Sequence, residues 1–208
     1  MIFPLFRSKY SFINELISPD ARVIFGNTDT GLCDLRSSTQ ARMKIENKNK
    51  YEGIVIGNII EMLLKNGLES RDIGIITPYR SQLELLKKCI NLKGKGIMVY
   101  TIDKSQGIEH KCIILSFVVV EGHRSSLLED SKRINVAFTR SQSKLLLIGS
   151  VKGLSQFEGT NQYLSIIKAQ NWITNLPNLK KFQKAVKSDD QNQINHLNSQ
   201  FKQLNLSD

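Results

Sequence analysis

Apolar residues along this chain fall into two alternating patterns. Five short runs, Arg22–Asn27, Ile73–Thr77, Ile97–Thr101, Cys112–Val120 and Lys144–Gly149, are β-branched or Leu-rich and mostly unalternated, as strands buried on both faces are. Between them apolar positions recur at helical spacing: Ile56, Ile59, Ile60, Leu63 and Leu64, then Leu83, Leu86 and Ile90, then Ile134, Ala137 and Phe138. Strands alternating with helices predict an α/β fold, a mostly parallel sheet with helices on both faces. In such sheets ligands gather at the carboxyl ends of the strands, which puts Thr77–Arg80 and Thr101–Glu109 in promising places.

Three divisions follow. Residues 1–20, with Pro4 and Pro19 and scattered aromatics, show no clear element and read as the incomplete edge of something larger. Residues 21–176 hold the alternating pattern, although 28–50 within them carry no assignable element. Residues 177–208 turn rich in Lys, Gln and Asn, the composition of a solvated tail. Ile194, Leu197, Phe201 and Leu204 nevertheless sit at helical spacing there, so a short amphipathic docking helix fits that stretch.

Charge narrows the class of partner. Twenty-nine Lys+Arg against 19 Asp+Glu give a formal charge of +10, an excess that favours polyanions such as nucleic acid or simply keeps a Lys-rich chain in solution. Cys33, Cys89 and Cys112 lie far apart without a C-x-x-C pair, so neither a disulfide framework nor a metal site is expected, and a reducing, intracellular setting fits. The longest apolar stretch, Cys112–Val120, is far shorter than the ~20 residues of a membrane-spanning helix. A soluble protein with no membrane partner is expected.

Candidate chemistry lies in three polar segments. In Ile76-Thr-Pro-Tyr-Arg-Ser-Gln82 a strand runs into a proline, which cannot donate to a sheet, and then into a helix; the turn between is expected to expose Thr77, Tyr79 and Arg80. The second, Tyr100-Thr-Ile-Asp-Lys-Ser-Gln-Gly-Ile-Glu109, is a polar turn between two apolar strands. Gly107 permits an unusual backbone conformation or a close ligand approach, Gln106 and Glu109 place an amide and a carboxylate beside it, and Thr101 offers donors to a phosphate. In the third, Arg133-Ile-Asn-Val-Ala-Phe-Thr-Arg140, the two arginines stand seven apart, a spacing that on one helix would put both on one face for phosphate recognition.

In this order the three segments resemble motifs IV, V and VI of the superfamily 1 helicases, in wording the eukaryotic DNA replication helicase/nuclease branch above all. The patterns Thr-Pro-Tyr-x-x-Gln, Thr-x-Asp-x-x-Gln-Gly-x-Glu and Arg-x-Asn-Val-Ala-x-Thr-Arg carry the resemblance, which runs from Arg22 to Gly149 and more loosely through Trp172. It implies a RecA-like second lobe that closes an ATP and Mg2+ site together with a first lobe. Arg140 then matches the arginine that stabilises charge on the γ-phosphate. Glu109 matches a ribose-facing carboxylate, Gln106 and Gly107 a turn beside the nucleotide, and Arg133, with Asn135, the same wall. Thr77, Tyr79, Arg80 and Thr101 match positions along the backbone of single-stranded DNA, RNA not being excluded. A nuclear, 5′-to-3′ helicase of DNA replication or repair is the implied whole.

Two departures stand out. Ser141-Gln142 replaces the Ala and basic residue usual after the arginine, and Ile108 stands where Arg is frequent. No G-x-x-x-x-G-K-[ST] loop and no acidic magnesium motif occur in the 208 residues, so hydrolysis by the chain alone is not expected. A catalytically incomplete module that binds nucleic acid or a partner, or a lobe of a related RNA helicase, remain alternatives on these residues.

Overall fold

The computed structural model describes residues 8, 10–32, 46–90 and 96–178. The proposed tail helix around Ile194–Leu204 and most of the unassigned 28–50 stretch lie outside the described residues.

Six strands, β1 (Val23–Asn27), β2 (Ile73–Thr77), β3 (Met98–Thr101), β4 (His110–Ser116), β5 (Ser141–Gly149) and β6 (Ile173–Asn175), form one sheet in the order β3-β2-β4-β5-β1-β6. Every pairing is parallel. The eight helices described are α1 (Ser11–Leu16), α2 (Asp29–Leu32), α3 (Lys50–Lys65), α4 (Arg80–Ile90), α5 (Ser126–Glu129), α6 (Ser131–Phe138), α7 (Val151–Leu154) and α8 (Glu158–Ala169).

Side chains alternate across the pleat, so each unalternated run feeds two cores. On one face Ile24, Ile75, Ile114, Leu146 and Ile148 pack with Ile56, Ile59 and Ile60 of α3 and Leu86 of α4. On the other Phe25, Ile113, Leu115, Leu145 and Leu147 pack with Ile134 and Ala137 of α6 and Leu164 and Ile167 of α8. The expected two-sided α/β sheet is therefore present.

Four details differ from the sequence pattern. Helix α1 buries Phe12, Ile13 and Leu16 in the α3 core, so packing continues across the boundary drawn at residue 20. The short β6 follows Trp172 without a run of its own. Strand β5 starts at Ser141, three residues before the apolar run. Strand β4 stops at Ser116, and Phe117–Val120 stay buried without continuing the ladder, because Val118 turns to φ +71°. A β-branched residue in that region is a real conformational outlier and needs something to hold it.

The link from β3 to β4 decides where the motif residues go. Thr101 pairs with Thr77 and Cys112 with Ile73, so His110 lies about six strand residues, ~20 Å, below Thr101. Residues 102–109 must cover that drop. An α-helix of that length rises only ~12 Å. The chain instead takes a 3-10 turn, Ile102–Ser105, which rises ~2 Å per residue, and then a second turn in which the Ile108 N–H donates to Ser105 O at 3.2 Å with Gly107 at φ +77°.

Candidate nucleotide and nucleic-acid faces

The structure divides the motif residues between the two edges of the sheet. Thr77 and Thr101 end adjacent strands at the carboxyl edge, paired in register. Glu109 and Arg140 sit immediately before the paired residues His110 and Ser141, at the amino edge of β4 and β5. The expectation that the whole Thr101–Glu109 turn occupies the carboxyl edge is thus corrected: the link descends through Gln106 and Gly107 and delivers Glu109 to the opposite edge.

At the carboxyl edge, Thr77 is fully buried, not exposed as the sequence suggested. Its hydroxyl oxygen accepts from the Tyr79 N–H at 3.5 Å and shapes the turn around Pro78. Thr101, half-buried, starts the 3-10 turn with no side-chain cap bond. Arg80 is exposed at the start of α4. Tyr79 is half-buried, and its hydroxyl lies 3.1 Å from His123 Nε2 in the loop after β4; burial raises its pKa, keeping the phenol neutral. The outward-facing groups of this turn are therefore Arg80 and part of Tyr79, with Thr77 beneath them.

On the descending link, Gly107 takes φ +77° with open space where a Cβ would stand, so the glycine serves backbone conformation rather than close packing. Gln106 beside it is exposed. Exposed Glu109 accepts from Gln142 Nε2 at 3.3 Å, which gives the unusual Gln142 a definite contact.

Arg140 is not on the same helix as Arg133. Thr139 caps α6, its hydroxyl donating to Asn135 O at 2.9 Å, and Arg140 is the next residue, where the chain enters β5. The seven-residue spacing fails to put both on one helical face because the helix stops between them. Arg140 Nε donates to Val136 O at 2.9 Å and Nη2 to Thr139 Oγ1 at 3.0 Å. Among the described residues Arg140 has no carboxylate partner, which leaves most of its five donors for an anion. Arg133 is half-exposed and spent differently, at 3.5 Å from Asp103 of the 3-10 turn and 3.6 Å from Asp130. It braces the descending link against α6.

One group of residues carries no sequence assignment. Asn49 caps α3, accepting from the N–H groups of Tyr51 and Glu52. Glu52 is three residues on, the spacing of a capping box. The box is not closed by Glu52: Gln82 Oε1 accepts from Asn49 N–H at 2.7 Å instead, and the Glu52 carboxyl turns inward to Ser116 and Val118. The Asn-x-x-Glu spacing and the Gln of the Thr-Pro-Tyr-x-x-Gln pattern were the available signals.

A cavity of about 1190 Å³ opens at the amino edge among α1, Arg22, Lys111, Lys144 and Trp172, and Glu109 and Arg140 do not line it. Lys144 there donates to the carbonyls of Ser18 and Ala21, both at 2.6 Å, and burial draws its pKa down to about 8. It ties the β1 approach to β5. Among the described residues no His, Cys, Asp and Glu group suits a metal ion, and no helix is long and apolar enough to cross a membrane.

The parallel sheet, with the ordered motifs at its two edges, defines a RecA-like α/β lobe. A family model described as AAA domain matches residues 5–152. The chain is 38% identical over 169 residues to the DNA replication ATP-dependent helicase/nuclease JHS1 of Arabidopsis thaliana, covering 79% of this chain and 12% of that protein. To the DNA replication ATP-dependent helicase/nuclease DNA2 it is 34% identical in Xenopus laevis (80% of this chain, 16% of that protein) and 32% in Saccharomyces cerevisiae (78% and 11%). The chain thus spans 11–16% of the length of these relatives. The C-terminal domain of a possible DNA helicase from Lactobacillus plantarum aligns at 14% identity with a TM-score of 0.43, over 79% of this chain and 92% of that domain, too distant to bear on function. The chain belongs to this AAA domain family, as a superfamily 1 helicase C-terminal lobe.

Proposed function

We propose that the chain is the C-terminal motor lobe of an ATP-dependent DNA helicase, 5′-to-3′ in polarity, that serves DNA replication and repair in the nucleus. One observation carries the reading. Glu109 and Arg140 stand side by side at adjacent strand starts, and Arg140 is a guanidinium without a carboxylate partner among the described residues.

A partly buried arginine with spare donors is suited to charge that grows on a transferring phosphoryl group. Glu109 suits the sugar hydroxyls of the same nucleotide, with Gln106, Gly107 and Arg133 completing the wall. These residues fit a wall that faces ATP and Mg2+ rather than a cradle that holds them, since the sequence has no phosphate-binding loop. The cradle would come from a first lobe. Arg80, Tyr79 and Thr101, shaped by Thr77, supply part of the grip on single-stranded DNA at the other edge, through contacts that do not read sequence.

The test joins the chain to a first helicase lobe from a DNA2 relative and measures single-strand-stimulated ATP hydrolysis. Arg140→Ala is expected to lower turnover about a thousandfold with nucleotide affinity little changed. Turnover indifferent to that substitution would remove the arginine from its proposed role. Matched DNA and RNA duplexes in an unwinding assay separate the DNA reading from a related RNA helicase.

A further inference from the structure

Glu52 is fully buried and accepts four hydrogen-bond contacts: from Ser116 Oγ at 2.7 Å, from Asn49 Nδ2 at 3.1 Å, and from the Val118 N–H to both its oxygens at 3.0 and 3.1 Å. The donor directions are nearly all fixed. Asn49 Oδ1 is committed to the helix cap, so its amide nitrogen faces Glu52. Gln82 Oε1 is committed to the Asn49 N–H, so its amide nitrogen donates to Asn49 O at 3.2 Å and to Ser116 Oγ at 3.0 Å. Ser116 then passes its own proton toward Glu52. The rotatable hydroxyl of Ser116 is the one member able to reverse.

This network ends at both carboxyl-edge turns. Gln82 lies on the first turn of α4, directly after Thr77–Arg80. Val118 begins the loop that follows β4, held at φ +71° while its N–H points at Glu52. That loop brings His123 to the Tyr79 hydroxyl, so the two turns also lean on each other. Val118 is buried, and its N–H is held by both oxygens of the Glu52 carboxyl group, so that group and the packing of the side chain together hold its backbone.

We propose that Glu52 is a positioning residue for single-strand binding: through Val118 and Gln82 it fixes the loop after β4 and the turn after β2 in one arrangement. This rests on the reading of the carboxyl edge as the single-strand side. Glu52 touches no ligand itself. It supplies the acceptor that makes the Val118 conformation affordable and thereby seats His123 against Tyr79.

The test uses the full 208-residue chain, a fluorescein-labelled oligothymidine, and amide hydrogen exchange. Glu52→Gln keeps the volume but replaces the carboxyl O–H, from which Ser116 Oγ can accept, with an NH2 whose second hydrogen has only the fixed donors Val118 N–H and Asn49 Nδ2 beside it. It is expected to weaken oligothymidine binding about tenfold and to speed exchange at residues 117–123 and 79–82, with β1 and β5 still protected. Val118→Gly takes a positive φ without strain, at the loss of one buried side chain, so rescue is read from binding in a variant still folded by exchange at β1 and β5. Adding it to Glu52→Gln should restore binding to within about twofold. A general core role for Glu52 would not be repaired by a glycine at 118. Wild-type binding and exchange in Glu52→Gln, or a folded double variant without rescue, overturns the proposal. If the wild-type chain shows no affinity for oligothymidine but the exchange changes and their rescue appear, the positioning stands and the single-strand reading of this edge falls.

Discussion

Arg133 and Arg140 illustrate how two like residues in one motif acquire different work. Arg133 shares its charge with Asp103 and Asp130 while half-exposed, so Arg133→Ala should shift unfolding free energy by under ~1 kcal/mol in a urea titration. Arg140 gives two donors to the end of α6 and keeps the rest. Gly107 is the more sensitive position. Its φ of +77° costs a side chain ~1–2 kcal/mol, so Gly107→Ala should lower the urea midpoint by that equivalent even though nothing crowds the site. A midpoint unchanged by Gly107→Ala would show that the link relaxes to another conformation. At this scale residue types were legible and their orientation was not. The sequence marks Thr77 as a polar residue at a strand end, but burial by β3 and the Tyr79 N–H decides that it faces inward.

Elements with enough apolar residues to declare a period were legible, namely β1, β2, β3, β5, α3, α4 and α6. Short ones were not: α1 has six residues and β6 three, too few for a pattern to separate from background. Where an element ends was harder still. Thr139 stops α6 one residue before Arg140, and the Glu52 acceptor stops β4 at Ser116, although the apolar run continues to Val120. Helix α6 starts on Asp130, whose carboxylate accepts from the N–H groups of Lys132 and Arg133 at 3.0 and 3.2 Å. Asp130→Ala should therefore cost ~1 kcal/mol of stability. It should also loosen Arg133 from the 3-10 turn, which exchange at residues 102–109 would report. Protection unchanged there would mean that Asp103 suffices to hold the arginine.

For the molecule as a whole, the buried carboxyl predicts an uncommon pH response. Burial pushes Glu52 from its ordinary 4.5 up to about 8, against the pull of Ser116, Val118 and Asn49. The folded state then binds this proton more tightly than the unfolded chain does. Its stabilising effect is full below pH 4.5 and is lost as pH rises toward 8. The melting temperature of the wild-type chain should fall across that window, and Glu52→Gln should flatten the decline. Equal slopes would place the proton elsewhere. Lys144, drawn down to about 8, acts with the opposite sign above that pH, while Cys112, raised to about 12, opposes it. The comparison therefore belongs below pH 8. A net charge of +10 adds a separate expectation, that oligothymidine affinity falls steeply as salt rises from ~50 to ~200 mM.

The link across residues 102–109 joins Thr101 to Glu109 through two bonded turns, one closed by Ser105 Oγ donating to Ile102 O at 2.7 Å and one by Ile108 N–H donating to Ser105 O at 3.2 Å. Turns closed by their own hydrogen bonds pass a push along as a stiff strut does, whereas an unbonded loop absorbs it. On the proposed function, nucleotide is met at one end of this link and the single strand at the other, so displacement at Glu109 reaches Thr101 through these two turns. Two glycines inserted after Gln106 should leave both ligands bound while single strands cease to stimulate hydrolysis in the lobe-joined protein. Undiminished stimulation would mean that the message travels by another route.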